Sequence, residues 1–215
     1  MPRTPRLEYA GALYHVTSRG VRQGAIFADD RDRAFLLALF ADALRRFEAR
    51  AFAYCLMGNH YHLVVQTRQA NLSALMRRVN ATYSQAFNRR HAGHGHVFEG
   101  RYQARHVHRD SYLLAACRYV DLNPVRARLV ERPAAWPWSS YRAHVGTVAA
   151  PAWLATDELR AMLGGDYADW VEAGREVRLW ASLRDGQYLG DDAFVARMQD
   201  MSRSGHGKVP IVETE

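Results

Sequence analysis

Four side chains in this sequence have the types and spacings of a reactive site. His60 and His62 are two apart in His60-Tyr61-His62, so on a β-strand both imidazoles leave one face, close enough to share a metal ion. Tyr119 and Asn123 are four apart, so on a helix a phenol and an amide oxygen share one face, and the amide oxygen is chemically able to be a third metal ligand. Each part alone has a plainer meaning. A His-x-His is common on half-exposed strands, any one of 11 tyrosines is ordinarily a core residue, and an asparagine before a proline is a common helix end. A second pair, His94 and His96, lies in Gly93-His94-Gly95-His96, where the glycines indicate a solvated loop, and is not counted as a site.

The elements that must position these residues follow from hydrophobic spacing. Leu13-Tyr14-His15-Val16-Thr17 alternates as a strand ending at Arg19-Gly20. Asp29 or Asp30 can cap a helix over 31–50, where Phe35, Leu36, Leu39, Phe40, Ala43, Leu44 and Phe47 recur at helical spacing. Ala51 to Met57 and His60 to Thr67, joined by Gly58-Asn59, predict a hairpin. Asn71 caps a second helix from Leu72 to about Arg90, and Tyr102 to His108 forms a further strand. Asp110 opens a third helix that should stop near Asn123, because Pro124 disfavours helical geometry in the residue before it.

The order βαββαβα suggests an α+β fold: a ferredoxin-like (RRM-like) antiparallel four-stranded sheet with helices on one face and the other face available. Residues 1–130 make this layer, and 131–150, with Trp136-Pro137-Trp138, read as an aromatic connector packing on it. Residues 151–215 read as an acidic helical extension with helices near 156–163, 166–181 and 191–201 and a frayed tail from Met201.

Composition narrows the class of protein. At 215 residues and 48% hydrophobic, the chain is a globular one. It has no window of about 18 apolar residues to span a bilayer. The start, Met1-Pro2-Arg3-Thr4-Pro5-Arg6, lacks the apolar stretch of a signal peptide. A cytoplasmic, nucleoid-associated protein with no membrane partner is expected. Cys55 and Cys117 are far apart in apolar runs, which suits core thiols rather than a disulfide framework. Residues 1–150 carry 22 basic and 10 acidic side chains, a net +12, whereas 151–215 carry 7 and 12, a net −5. Lys208 is the only lysine. An arginine-rich field of that density points to a polyanion, and nucleic acid leads.

Taken in order, Gly58-Asn59-His60-Tyr61-His62-Leu63-Val64, Gly100-Arg101-Tyr102, Tyr119-Val120-Asp121-Leu122-Asn123-Pro124-Val125-Arg126 and Trp138-Ser139-Ser140-Tyr141 resemble a known family. The chain is similar, over roughly residues 7–145, to REP-associated tyrosine transposases, which are single-tyrosine HUH transposases of the IS200-like kind. Tyr61 departs in part from the bulky apolar residue usual between the two histidines, and its alternation points it to the opposite sheet face.

The resemblance implies that Tyr119 is the nucleophile, that His60 and His62 are the paired histidines, and that Asn123 completes a metal site. Nitrogen and oxygen ligands suit Mg²⁺ or Mn²⁺, with zinc the competitor on affinity. A phenol with a pKa near 10 is about a thousandth ionised at neutral pH, so the site must assist its attack. The implied reaction nicks single-stranded DNA beside REP-like palindromic hairpins with a short adjacent tag. It leaves a 5′-phosphotyrosine and a free 3′-hydroxyl, and the stored ester allows strand transfer. Arg77, Arg78, Arg89, Arg90, Arg101 and Arg105 flank the site as phosphate-contact candidates, and Arg3 and Arg6 lie on an N-terminal arm suited to a groove. Monomer and homodimer both remain open. The competing readings are a catalytically idle hairpin-DNA-binding regulator and a metal hydrolase using water.

Overall fold

The structure is a computed structural model that describes residues 6–175 and 187–203. Its order begins β1 (Leu13–Arg19), α1 (Asp30–Arg46), β2 (Ala49–Leu56), β3 (His60–Thr67), α2 (Leu72–Arg90), β4 (Gln103–Val107) and α3 (Arg109–Arg126). The βαββαβα order is therefore present, in an α+β open sheet. After it come α4 (Tyr141–His144), α5 (Thr156–Leu163), α6 (Tyr167–Ala173), β5 (Tyr188–Leu189) and α7 (Asp192–Arg203). Residues 176–181 of the expected 166–181 helix, the tail from 204 onward, and Arg3 lie outside the described residues.

The sheet order is β2-β3-β1-β4-β5, antiparallel except that β5 pairs parallel to β4. Two details differ from the four strands with helices on one face. The fifth strand has two residues, too short for a hydrophobic period to reveal. More consequentially, both faces are covered. One core joins Tyr14, Val16, Tyr61, Leu63 and Val65 to Leu36 and Phe40 of α1 and to Leu75, Met76, Val79 and Tyr83 of α2. The other joins Leu13, Phe52, Cys55 and Val64 to Leu113, Ala116, Cys117 and Val120 of α3 and to Leu159, Tyr167 and Val171 of α5 and α6. The physical reason is in β2 and β3, which are buried on both faces along most of their length and need apolar cover on each.

Helix α3 runs through Pro124 to Arg126. Proline removes the donor that would bond the Val120 carbonyl. The last turn is nevertheless held by Ala127 N to Asn123 O at 2.9 Å, by Leu129 N to Pro124 O at 2.9 Å and by burial of Leu122, Asn123 and Pro124, so packing overrides local preference. Asp29 caps α1 by accepting from the Arg31 and Asp32 amides. Asn71 stands at the start of α2 but does not cap it with its side chain, which donates to Phe47 O instead. Glu8, arriving from the N-terminal arm, accepts from Ser73 N at 2.9 Å and takes over that function.

The segment after 130 is built into the sheet. Trp138 O accepts from Leu56 N and Tyr54 O accepts from Ser140 N along the β2 edge, where Cys55 also bridges Ser139. Leu154 bridges Ala51 on the same edge, while β5 covers β4, so both sheet edges are protected. Trp136 and Trp138 pack against the two cores, Trp136 donating from Nε1 to Leu56 O at 3.1 Å. Burial raises the pKa of both cysteine thiols, which are free.

A buried polar cluster fixes α3 to this frame. Asp121 is fully buried; its Oδ1 accepts from Ser140 Oγ at 2.7 Å, and its Oδ2 accepts from Tyr167 OH at 2.9 Å and lies 2.7 Å from His144 Nδ1. His144 Nε2 donates to Phe52 O at 2.9 Å. One carboxylate thus ties the helix to the connector, to α6 and through His144 to β2. Truncating it would strand Tyr167 OH and His144 Nδ1, while Ser140 Oγ keeps Tyr54 O. Asp121→Ala is expected to cost about 3–5 kcal/mol in urea unfolding; an unchanged midpoint would show that the cluster does not hold the helix.

Candidate active site

Strand pairing decides which residues meet. In the β1–β3 register Thr17 faces His62 and Arg19 faces His60, and in the β1–β4 register His15 faces Arg105 and Thr17 faces Gln103. Alternation then sends His15, Thr17, Arg19, His60, His62, Gln103 and Arg105 out of one sheet face. Helix α3 crosses that face with Leu113, Ala116, Cys117 and Val120 buried at helical spacing, which sets Tyr119 beside the strand residues. Together with Glu99-Gly100-Arg101 they line a cavity of about 190 Å³.

Within the cavity the aromatic rings are in contact. The His60 and His62 centroids are 4.9 Å apart, His62 and Tyr119 5.7 Å, and His15 and Tyr119 5.6 Å. His15 Nε2 lies 2.9 Å from His62 Nδ1. Arg126 holds its guanidinium 5.1 Å from the centre of the Tyr119 ring, within cation–π range. Tyr61, by contrast, points into the opposite core and donates to Asn80 Oδ1 at 2.6 Å.

All three imidazoles are held neutral. Burial, then Arg105, lowers His15 to a pKa of about 3. Burial, then Arg19, lowers His60 to about 4. Burial, reinforced by His15, His60 and the two arginines, takes His62 well below the ordinary range. A neutral imidazole is the form that ligates a metal.

The donor set fits a divalent metal at two positions. Asn59 Nδ2 donates to Gln23 O at 3.0 Å, which fixes its amide orientation, so Oδ1 accepts from His60 Nδ1–H at 2.7 Å and His60 Nε2 is the bare nitrogen. His62 Nε2 is buried without a hydrogen-bond partner. Asn123 is not brought into the cavity: it is buried at 9% exposure, and its Nδ2 donates to Tyr119 O at 2.9 Å. Among the described residues, no three His, Cys, Asp or Glu side chains are grouped as a metal cluster.

The nominated arginines separate by environment. Arg101 and Arg105 line the cavity. Arg6, Arg77 and Arg101, with Arg22, line an adjoining groove of about 1220 Å³ between α2 and the loop through Phe98 to Tyr102. Arg6 also lies 3.9 Å from the centre of the Tyr102 ring and donates to Tyr102 O, so that ring is already covered. Arg78 pairs with Asp42, and Arg90 pairs with Asp29 and Asp32. These two brace helices. Arg89 is exposed at the end of α2.

Sequence reasoning did not nominate His15, Arg19 or Arg22. Alternation of Leu13 to Thr17 was legible, but only the pairing register shows that His15 shares a face with His62. Arg22 is presented by a tight turn in which Arg22 and Gln23 both have positive φ, 52° and 61°. Gly20 opens that turn because a Cβ there would lie 2.1 Å from Gly24 O.

The fold and the cavity define an open-sheet α+β protein that presents paired histidines to a tyrosine helix beside an arginine-lined groove. The sequence pattern of the family described as Transposase IS200 like matches residues 9–123, more than half of the chain, and the protein belongs to that family. A solved structure of a REP-associated tyrosine transposase bound to a REP hairpin shares the fold, with a TM-score of 0.59 and 16% identity, covering 72% of this chain and 92% of that one. No curated protein matches the chain. Among the described residues, no helix is long and apolar enough to cross a membrane.

The neutral histidines make a prediction for the metal-free protein. Burial also lowers His106, to about 4. Because these pKa values are depressed, the unfolded chain binds more protons than the folded one below about pH 6.5, and each such histidine costs up to about 1.4 kcal/mol per pH unit down to its folded pKa. In EDTA, urea-unfolding free energy should fall from pH 7 to pH 5, and His60→Gln should reduce the slope. A flat profile would contradict buried neutral imidazoles.

Proposed function

We propose that this protein nicks and rejoins single-stranded DNA beside a REP-like palindromic hairpin through a covalent bond to Tyr119. The observation that carries this reading is that Tyr119 of α3 and the pair His60 and His62 of β3 line one cavity within one chain. Membership of a transposase family and a shared fold with a transposase solved on a REP hairpin support it.

In the proposed reaction the Tyr119 phenol oxygen attacks a backbone phosphorus in line. The P–O3′ bond breaks, the departing oxygen takes up a proton to become a 3′-hydroxyl, and the phenol proton is lost to solvent or a neighbouring base. The product is a 5′-phosphotyrosine, and attack by another 3′-hydroxyl reverses the step on a new strand. His60 and His62 would hold Mg²⁺ or Mn²⁺; family resemblance nominates Asn123 as a third ligand, a role that would require its amide to leave the Tyr119 carbonyl and turn into the cavity. The ion, when bound, supplies Lewis-acid polarisation of a non-bridging phosphate oxygen. Arg105 and Arg101 face the same cavity and favour the charge that builds on phosphate.

The groove suits the hairpin and its tag. It carries Arg6, Arg22, Arg77 and Arg101 and shares Glu99, Gly100 and Arg101 with the cavity, so a strand can pass from one to the other over three residues. Phosphate contact by these arginines makes affinity salt-dependent. The double substitution Arg22→Ala with Arg77→Ala should weaken hairpin binding at 50 mM salt by about tenfold or more and flatten its salt dependence. Equal affinity in a fluorescence-anisotropy titration would remove the groove from the account.

The reading takes Tyr119, His60 and His62 of one chain as one site, so it predicts cleavage by a monomer. Denaturing gels with Mn²⁺ and labelled hairpin strands should show an adduct for the wild type that EDTA and Tyr119→Phe each abolish. Mixing His60→Ala with Tyr119→Phe should not restore it. Restoration would mean that sites are shared between chains of a dimer. Cleavage by Tyr119→Phe without adduct would make water the nucleophile, and binding without cleavage by the wild type would leave a hairpin-binding regulator.

A further inference from the structure

His62 is 5% exposed, and its two ring nitrogens have unlike surroundings. Nδ1 lies 2.9 Å from His15 Nε2, while Nε2 is buried and unpartnered. One proton sits between the two rings, which leaves two arrangements. If His15 donates, His62 carries its proton on Nε2, a buried N–H without an acceptor that cannot ligate a cation. If His62 donates, Nε2 is a bare lone pair on a ring that lines the same cavity as His60, whose own Nε2 Asn59 leaves bare. Only the second arrangement gives both histidines of the pair the same role.

We propose that His15 is a positioning residue of the metal site: it accepts the Nδ1–H of His62 and thereby fixes the ring with Nε2 available to the ion. The inference rests on the proposed metal site. A carboxylate or carbonyl is the usual holder of a ligating histidine. At position 15 a carboxylate would stand directly opposite Arg105 and be drawn to it, whereas a neutral imidazole keeps its acceptor for His62. The His15 ring also lies edge-on to Tyr119 at 5.6 Å and nearly parallel to His62 at 5.1 Å, so one side chain packs against both the nucleophile and the ligand. The two histidines are thus held by different means, His60 from the adjacent residue and His62 from the neighbouring strand.

The test is Mn²⁺ affinity of the full chain without DNA, read from the electron paramagnetic resonance signal of free Mn²⁺, for wild type, His15→Leu, His15→Gln and His60→Ala. A glutamine amide oxygen can occupy the place of His15 Nε2. His15→Leu is expected to weaken binding by about 10- to 100-fold, and His15→Gln to restore it to within about threefold. Loss of binding in His60→Ala but not in His15→Leu would overturn the positioning role. If His60→Ala binds as the wild type does, the metal site itself has failed. Should His15→Leu not fold, nitrogen-15 NMR of the metal-free wild type decides: protonated Nδ1 with bare Nε2 on His62 is expected, and the opposite tautomer overturns the proposal.

Discussion

The pairing of β1 between β3 and β4 is the constraint on which the rest depends. That register brings His15, His60, His62 and Arg105 from three strands to one face. A slip of one residue would send each side chain of β1 into the opposite core and replace His15 with Tyr14 or Val16. Burial secures it: Tyr14, Val16, Tyr61 and Leu63 alternate with the site residues and pack under α1 and α2. The same alternation that builds the core therefore exposes the chemistry on the other side.

A reactive face needs partial cover, and α3 supplies it. The helix buries an apolar stripe over the β2–β3 side of the sheet and leaves Tyr119 over the histidines. Asp121, two residues on, turns into a buried cluster with Ser140, His144 and Tyr167. Residues far along the chain, in the connector and α6, thus hold the helix that carries the phenol. The acidic extension also meets the basic body directly, where Glu158 pairs with Arg50 and Arg109. Its charge is partly spent inside the fold.

Much of this was legible in the sequence, and the reasons differ by element. The strand His60–Thr67 and the start of the helix at Leu72 were readable to the residue, and its end to about Arg90, because turn chemistry and a cap position bound them. That His60 and His62 share one face followed from spacing, whereas Asn123, four residues beyond Tyr119, turns its amide to the Tyr119 carbonyl and stays out of the cavity. What spacing cannot give is which strands are neighbours, so His15 was invisible as a partner of His62. Nor can it weigh burial against local preference, which is why Pro124 lies inside α3 and why both sheet faces are covered. Arginine counts forecast a basic surface, yet only the structure separates Arg77 and Arg101, which line the groove and cavity, from Arg78 and Arg90, which brace helices.

The most direct measurement is the mass of the peptide that carries the DNA. Trypsin cutting after Arg118 and Arg126 releases Tyr119-Val120-Asp121-Leu122-Asn123-Pro124-Val125-Arg126, which contains one tyrosine. After reaction with a hairpin strand in Mn²⁺ and nuclease trimming, that peptide should carry a 5′-nucleotide remnant on Tyr119. A remnant on another tyrosine, or cleaved DNA with no modified peptide, would contradict a nucleophile held over the paired histidines.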